Sequence, residues 1–161
     1  MEDVVRFAKS GKPVIGICNG FQVLLEAGLL PGAMLRNKTL KFICKDVLLK
    51  PVNYDTQFTR SIPKDIPIHV PIAHGDGNFY CDDDTLKAIQ DNNQIVFTYC
   101  DKDLRVSEEV NPNGARMNIA GIMNKTGNVL GMMPHPERSS DAMLGSVDGK
   151  HIFESIINSI A

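Results

Sequence analysis

Apolar and polar positions along this chain switch between two periods, and the switches mark an ordered series of helices and strands. Val4, Val5, Phe7 and Ala8 stand with Arg6 and Lys9 between them and Gly11 follows, which predicts a short helix over residues 3–10 with a glycine closing it. Pro13-Val14-Ile15-Gly16-Ile17 is a continuous apolar run of the kind found in a buried parallel strand. Residues 21–27 return to helical period, with Val23, Leu24 and Ala27 on one face. Two strand-rich stretches follow, residues 40–52 and 66–79, the second punctuated by Pro67, Pro71, Gly75 and Gly77. Residues 85–90 read as one or two helical turns and 94–100 as a strand. Residues 118–123 and 128–133 form a hairpin across Lys125-Thr126-Gly127. Asp148 is placed to cap a last helix carrying Ile152, Phe153, Ile156, Ile157 and Ile160. Helix, strand, tight turn and helix in that order indicate an α/β fold, an open sheet with flanking helices. Residues 101–116 are polar, contain Asn111-Pro112-Asn113-Gly114, and read as a loop inside one domain spanning 1–161.

Composition narrows the classes of partner. At 161 residues and 43% hydrophobic content the chain can bury a core of its own. Lys+Arg 17 against Asp+Glu 19, with no basic block, gives no electrostatic footprint for nucleic acid or an anionic membrane surface. No apolar stretch approaches the ~18 residues of a membrane span, and Met1-Glu2-Asp3 is acidic where a secretory leader is basic, so a cytoplasmic location is expected. Cys18, Cys44, Cys81 and Cys100 show no C-x-x-C spacing. Cys44 and Cys100 lie in strand-like runs and read as small buried hydrophobes, and Cys81 near a turn reads as structural too.

Cys18 differs through its setting. Gly16-Ile17-Cys18-Asn19-Gly20 puts a thiol where a strand turns sharply into a helix, the arrangement of a nucleophile elbow, with glycines two residues either side to avoid Cβ clashes. Such a thiol stands above the carboxyl edge of the sheet, where open α/β sheets bind ligands. The helix N-terminus is expected to lower its pKa, and the Asn19 backbone N–H to face an oxyanion formed when Cys18 attacks a carbonyl. A packed structural cysteine fits the five-residue pattern equally well. What tips the balance is Pro134-His135-Pro136-Glu137-Arg138, also at a strand end. In an extended segment alternate residues share a side, so His135 can act as base with Glu137 holding its tautomer.

The remaining histidines are weaker candidates. His74, in Ala73-His74-Gly75-Asp76-Gly77, lies either in an ordinary polar turn or in a turn whose N–H groups hold a carboxylate. His69 alternates with Ile68 and Val70 toward solvent, and His151 reads as a surface residue of the last helix. A metal set of His69, His74 and Asp76 lacks a spaced further ligand, so no metal site is expected. Asp82 to Asp84 read as a solvated turn or helix cap, and Met132 and Met133 as core.

Gly16-Ile17-Cys18-Asn19-Gly20-Phe21-Gln22 followed far downstream by Pro134-His135-Pro136-Glu137-Arg138 resembles the class I (triad) glutamine amidotransferases, whose fold is flavodoxin-like. Lys41-Phe42-Ile43-Cys44, Pro71-Ile72-Ala73-His74-Gly75, Asn118-Ile119-Ala120-Gly121-Ile122 and the run from Gly127 to Arg138 fit, in order, the glutaminase subunits of phosphoribosylformylglycinamidine synthases within that family. The resemblance implies Cys18 as nucleophile, His135 as base then acid, and Glu137 as its orienting carboxylate. It places Gly16, Asn19, Gly20, Gln22 and the backbone of Ala73, His74 and Gly75 near bound glutamine. It further implies delivery of ammonia to a synthetase subunit that carries ATP and magnesium, a small third subunit in many bacteria, and no cofactor in this chain.

The chain departs from that family at its start. Roughly 60 residues, two β-α units of about 30 each, are expected before the elbow and are not present. Their loss would leave Asn19 as the one identifiable oxyanion donor and expose an apolar edge on the strand ending at Ile17. Two alternatives stand beside the enzymatic reading: a partner-binding module that keeps the triad without turnover, and a different cysteine hydrolase on a similar elbow.

Overall fold

The computed structural model describes residues 1–160. Helix α1 spans Glu2–Lys9, strand β1 Val14–Ile17 and helix α2 Asn19–Glu26. Strands β2 (Ala33–Leu35), β3 (Ile43–Pro51), β4 (Ile68–His74) and β5 (Asn78–Tyr80) follow. Helix α3 (Asp83–Asp91), strands β6 (Ile95–Cys100), β7 (Ile119–Met123) and β8 (Val129–Met132), and helix α4 (Lys150–Ile160) complete the order. The expected helices, strands and β7–β8 hairpin are present. Asp82 caps α3 by accepting a hydrogen bond from the Thr85 N–H at 2.8 Å.

Six strands form one open sheet in the order β1-β8-β7-β6-β3-β4, and β2 pairs with β5 in a small second one. Only β1 and β8 run parallel, with Ile17 opposite Met132, so their carboxyl ends lie side by side. The other pairs are antiparallel. Laid flat, six strands at ~4.8 Å spacing would hold the edge strands β1 and β4 ~24 Å apart. Yet the Cys18 thiol, one residue past β1, lies 3.8 Å from the carbonyl oxygen of Ala73 on β4. The sheet therefore rolls, helped by register shifts between β6 and β7 that add local twist. Rolling is what makes a site out of segments at opposite ends of the strand order.

Packing explains the elbow. Phe21, Leu24 and Leu25 of α2 are buried, and Phe21 stacks on Phe79 with ring centroids 5.9 Å apart. The buried face thus centres on Phe21 and Leu25 as well as Leu24, while Val23 and Ala27 are only half-buried. Gly16 lets α2 lie this close: a Cβ there would sit 2.7 Å from the Gly20 carbonyl and press on Leu24. Gly20 has no such constraint, since its Cβ position is open, so only one of the two elbow glycines is needed to avoid a clash. Gly16→Ala is accordingly expected to cost about 1–3 kcal/mol, a fall of about 3–10 °C in melting temperature measurable by circular dichroism. An unchanged melting temperature would mean α2 can slide away freely.

Several expectations change. Strand β1 is an edge of the sheet, and Val14, Ile15 and Ile17 are half-exposed instead of buried. Cys44 is exposed, because the first half of β3 pairs only with β4, whereas β6 covers β3 from Leu48 onward. Cys81 and Cys100 are buried, and burial pushes the Cys100 thiol up to about 11. The Asp148 carboxylate accepts from the His69 backbone N–H at 2.9 Å, which ties the start of α4 to β4, while its carbonyl accepts the His151 N–H. Along α4, Ile152 is buried but Ile157 and Ile160 are exposed.

Candidate active site

Cys18 stands between β1 and α2 with φ 52° and ψ −109°, a conformation strained for a residue with a side chain. Its N–H donates to the Met132 carbonyl at 2.8 Å, extending the β1–β8 ladder by one rung, and its carbonyl accepts from the Phe21 N–H at 3.0 Å. The backbone on both sides is therefore fixed, and the strain is held by the strand and helix it joins. The thiol projects to Ala73, whose carbonyl oxygen accepts the S–H at 3.8 Å.

Three residues past β8, His135 donates its backbone N–H to the Pro71 carbonyl at 2.9 Å, which seats it against β4. Its Nδ1 lies 2.6 Å from the Glu137 carboxylate. That pair forms differently from the expectation: Pro136–Ser139 is a turn of 3₁₀ helix instead of extended chain, and the carboxylate folds back across its N-terminal end. The imidazole side chain is 10% exposed and the carboxylate 44%, so the base faces inward and its orienting group stays partly in water. With Nδ1 engaged, Nε2 is a buried nitrogen that has no partner among the described residues and is free to take a proton.

The thiol pKa runs opposite to the helix-terminus expectation. Burial raises it above the usual thiol value, and this outweighs the lowering by the Asn19 backbone N–H and the Arg138 guanidinium, while Glu137 adds a smaller upward push. Arg138, quoted in the motif but given no role there, is a cation in range of the thiol and lies 3.6 Å from the Glu137 carboxylate.

His74 ends β4 and is buried, so it is neither in an open turn nor beside His69, which projects from the other face of the strand. The trio His69, His74 and Asp76 does not converge, and no cluster of metal-ligating residues occurs among the described residues. Of the turn's N–H groups, that of Gly77 is taken by Asn37 Oδ1 at 3.0 Å. Gln22 Nε2 donates to the Asp76 carbonyl at 2.8 Å, pinning α2 to this segment. Asn37 and Asn113 flank His74, with Tyr99 hydrogen-bonded to Asn113, a contribution that sequence spacing does not reveal. Burial drives the His74 pKa from 6.5 down to about 4, with His135 as a further lowering charge. Between these values the unfolded chain binds a proton that the folded chain does not. His74 therefore contributes stability above pH 6.5 that is lost as the pH falls toward about 4, about 3 kcal/mol in all. The ring resonances of His74 are expected to report a neutral imidazole through that window; a midpoint near 6.5 would show that its burial costs nothing.

A strained elbow cysteine beside a His–Glu pair at the adjacent parallel strand end can perform nucleophilic attack on a carbonyl with proton transfer by imidazole. Residues 1–155 match the CobB/CobQ-like glutamine amidotransferase domain family. The chain is 54% identical over 160 residues to the phosphoribosylformylglycinamidine synthase subunit PurQ of Chlorobium chlorochromatii, covering 99% of this chain and 68% of that protein. It is 51% identical to the PurQ subunit of Chlorobium luteolum, covering 69% of that one. The chain thus spans about two thirds of the length of these relatives, in line with the expected shortness. Among solved structures, PurLQS from Thermotoga maritima superposes with a TM-score of 0.83 at 42% identity, over 98% of this chain and 66% of the matched one. A glutamine amidotransferase from the same organism shares the fold at a TM-score of 0.54 and 22% identity, over 99% of this chain and 53% of that one. The chain belongs to the glutamine amidotransferase family, among the PurQ subunits of phosphoribosylformylglycinamidine synthase, an enzyme of purine biosynthesis.

Proposed function

We propose that this chain hydrolyses glutamine to glutamate and ammonia and supplies the ammonia to a synthetase subunit, which uses it with ATP to convert formylglycinamide ribonucleotide to the amidine. The observation that carries this reading is the juxtaposition of Cys18 and the His135–Glu137 pair on adjacent parallel strand ends. His135 Nε2 takes the thiol proton as the sulfur attacks the glutamine side-chain amide, and the Asn19 N–H stabilises the oxyanion. The proton passes to the departing ammonia, leaving a glutamyl thioester. Water, deprotonated by His135, then cleaves the thioester to glutamate and the free thiol. Gly16 shapes the elbow beneath the substrate, Gly20 leaves the first turn of α2 open toward it, and Gln22 with the backbone of Ala73, His74 and Gly75 borders the glutamine.

Free ammonia in neutral water is mostly protonated and is no nucleophile, so delivery requires docking to the synthetase. ATP and magnesium belong on that partner, a small third subunit completes the assembly, and the cytoplasm is the compartment. Incubation with glutamine, with and without a synthetase subunit, tests the reading through glutamate release against a Cys18→Ala control. Release no faster than the control in both settings would leave a partner-binding module that keeps the triad without turnover.

A further inference from the structure

Behind the Cys18 thiol lies a closed set of hydrogen bonds that the chemistry above does not use. Asn37 is fully buried, and it donates from Nδ2 to the carbonyls of Lys41 and His74, both at 2.8 Å. Two carbonyls on the amide nitrogen fix its orientation, so Oδ1 is the acceptor that faces the Gly77 N–H and His74 Nδ1 at 3.1 Å. An acceptor at that position forces the proton of the ring onto Nδ1. The Asn37 backbone N–H also donates to the Gly75 carbonyl at 2.8 Å. One side chain and its own backbone thus hold the two peptide groups that follow Ala73.

The far side of the ring is fixed in the same way. Asn113 Oδ1 accepts from the Ala115 N–H at 3.0 Å, so its Nδ2 points at the Gly77 carbonyl at 2.7 Å, the Tyr99 hydroxyl at 3.2 Å and His74 Nε2 at 3.5 Å. A protonated ring would set an N–H against that donor, which agrees with a His74 that stays neutral. The titratable groups acting on the ring are His135 and Asp76, and the phenol of Tyr99 shares the Asn113 amide with it. Gly77 completes the fit, because a Cβ there would overlap the imidazole.

We infer that Asn37, with His74 as the neutral Nδ1–H tautomer and Asn113 behind it, is a positioning unit that presents the Ala73 carbonyl to the Cys18 thiol and so sets where the sulfur rests and how readily it ionises. The Ala73 carbonyl accepts a hydrogen bond only from the protonated thiol. Holding it in place keeps the thiol protonated, and releasing it frees the sulfur toward the thiolate. This rests on Cys18 being the nucleophile, but its primary test does not need glutamine turnover.

The experiment follows alkylation of Cys18 by iodoacetamide across pH in the full chain assembled with a synthetase subunit, for wild type, Asn37→Asp and Asn113→Asp, alongside melting temperature and the kcat and KM for glutamine. Asn37→Asp removes the donor to the His74 carbonyl, and alkylation at neutral pH is expected to quicken about threefold or more as the S–H bond is lost. Its kcat is expected to fall about tenfold or more, as misplacement of a reacting group does. Should Asn37→Asp fail to fold, Asn113→Asp acts at one remove and keeps the oxygen that accepts from Ala115. It places a carboxylate at His74 Nε2, so the ring is expected to titrate closer to neutrality, and Cys18 alkylation to acquire a limb at the same pH. Alkylation profiles that superimpose on wild type in folded variants, with only the melting temperature lowered, would overturn the inference and leave the set as a structural support. Altered alkylation without glutamine hydrolysis in wild type would instead keep the inference and sink the proposed reaction.

Discussion

Cys18→Ala is expected to lower glutamine hydrolysis by about 10⁴-fold or more, since nucleophile deletions in triad enzymes remove nearly all of the covalent route. What survives is water attack helped by His135 Nε2 and the Asn19 N–H. The substitution leaves the architecture in place: alanine at φ 52° carries the same backbone strain as cysteine, and what the half-exposed thiol donates is one weak hydrogen bond, to Ala73. Melting temperature is therefore expected to move by no more than about 3 °C. In the assembled complex, replacing glutamine with an ammonium salt bypasses this chain, so amidine formation from ammonium is expected at the wild-type rate. A variant keeping more than about a tenth of glutamine hydrolysis would mean a different group attacks the amide. Loss of ammonium-dependent synthesis would mean the thiol matters to docking and not only to chemistry.

Most of the architecture can be read along the chain, because its main elements carry one clean period each. The run at Val14–Ile17 is continuous and apolar, that at Ile95–Cys100 is broken only by Thr98, and the glycine at 127 closes the β7–β8 hairpin. Strand β2 escapes such a reading, being three residues of which only Met34 is even half-buried. Where side chains end up is less legible. Cys44 follows an apolar run yet projects from the part of β3 that β6 does not cover, and Ile157 sits at helical spacing yet is exposed. These are facts about which neighbour arrives, and no local pattern encodes them.

The same division holds at the site. The elbow and the His-x-Glu pair are short-range signals, so Cys18, His135 and Glu137 can be named in advance. Their assembly depends on the roll of the sheet, which brings Ala73 to Cys18 from the far end of the strand order. Charge balance at the thiol is similarly non-local: the helix N-terminus is visible in sequence, but burial reverses its effect. Asn37 and Asn113 look like ordinary loop residues, and only the buried ring between them reveals their part.

His135→Gln and Glu137→Gln are expected to differ by about 100-fold, which separates the base from its orienting group. Removing the imidazole takes away the group positioned to accept the thiol proton and return it to ammonia. Because burial already holds the thiol pKa high, little thiolate forms without that base. The expected loss in glutamine hydrolysis for His135→Gln is therefore about 10⁴-fold. Glu137→Gln keeps an oxygen able to accept from Nδ1, and what it loses is the negative charge that favours imidazolium. In a buried triad that loss costs about 10⁴-fold, but this carboxylate is 44% exposed and shares its charge with Arg138, so about 100-fold is expected. Glu137→Gln should unfold close to the wild-type temperature, because a carboxylate that is 44% exposed contributes little to stability through its pair. Equal losses would mean Glu137 does more than orient the ring, with its charge needed at full strength despite its contact with water. A Glu137→Gln enzyme within twofold of wild type would instead show that the Pro136–Ser139 turn alone holds the imidazole, leaving the 2.6 Å contact without a catalytic part.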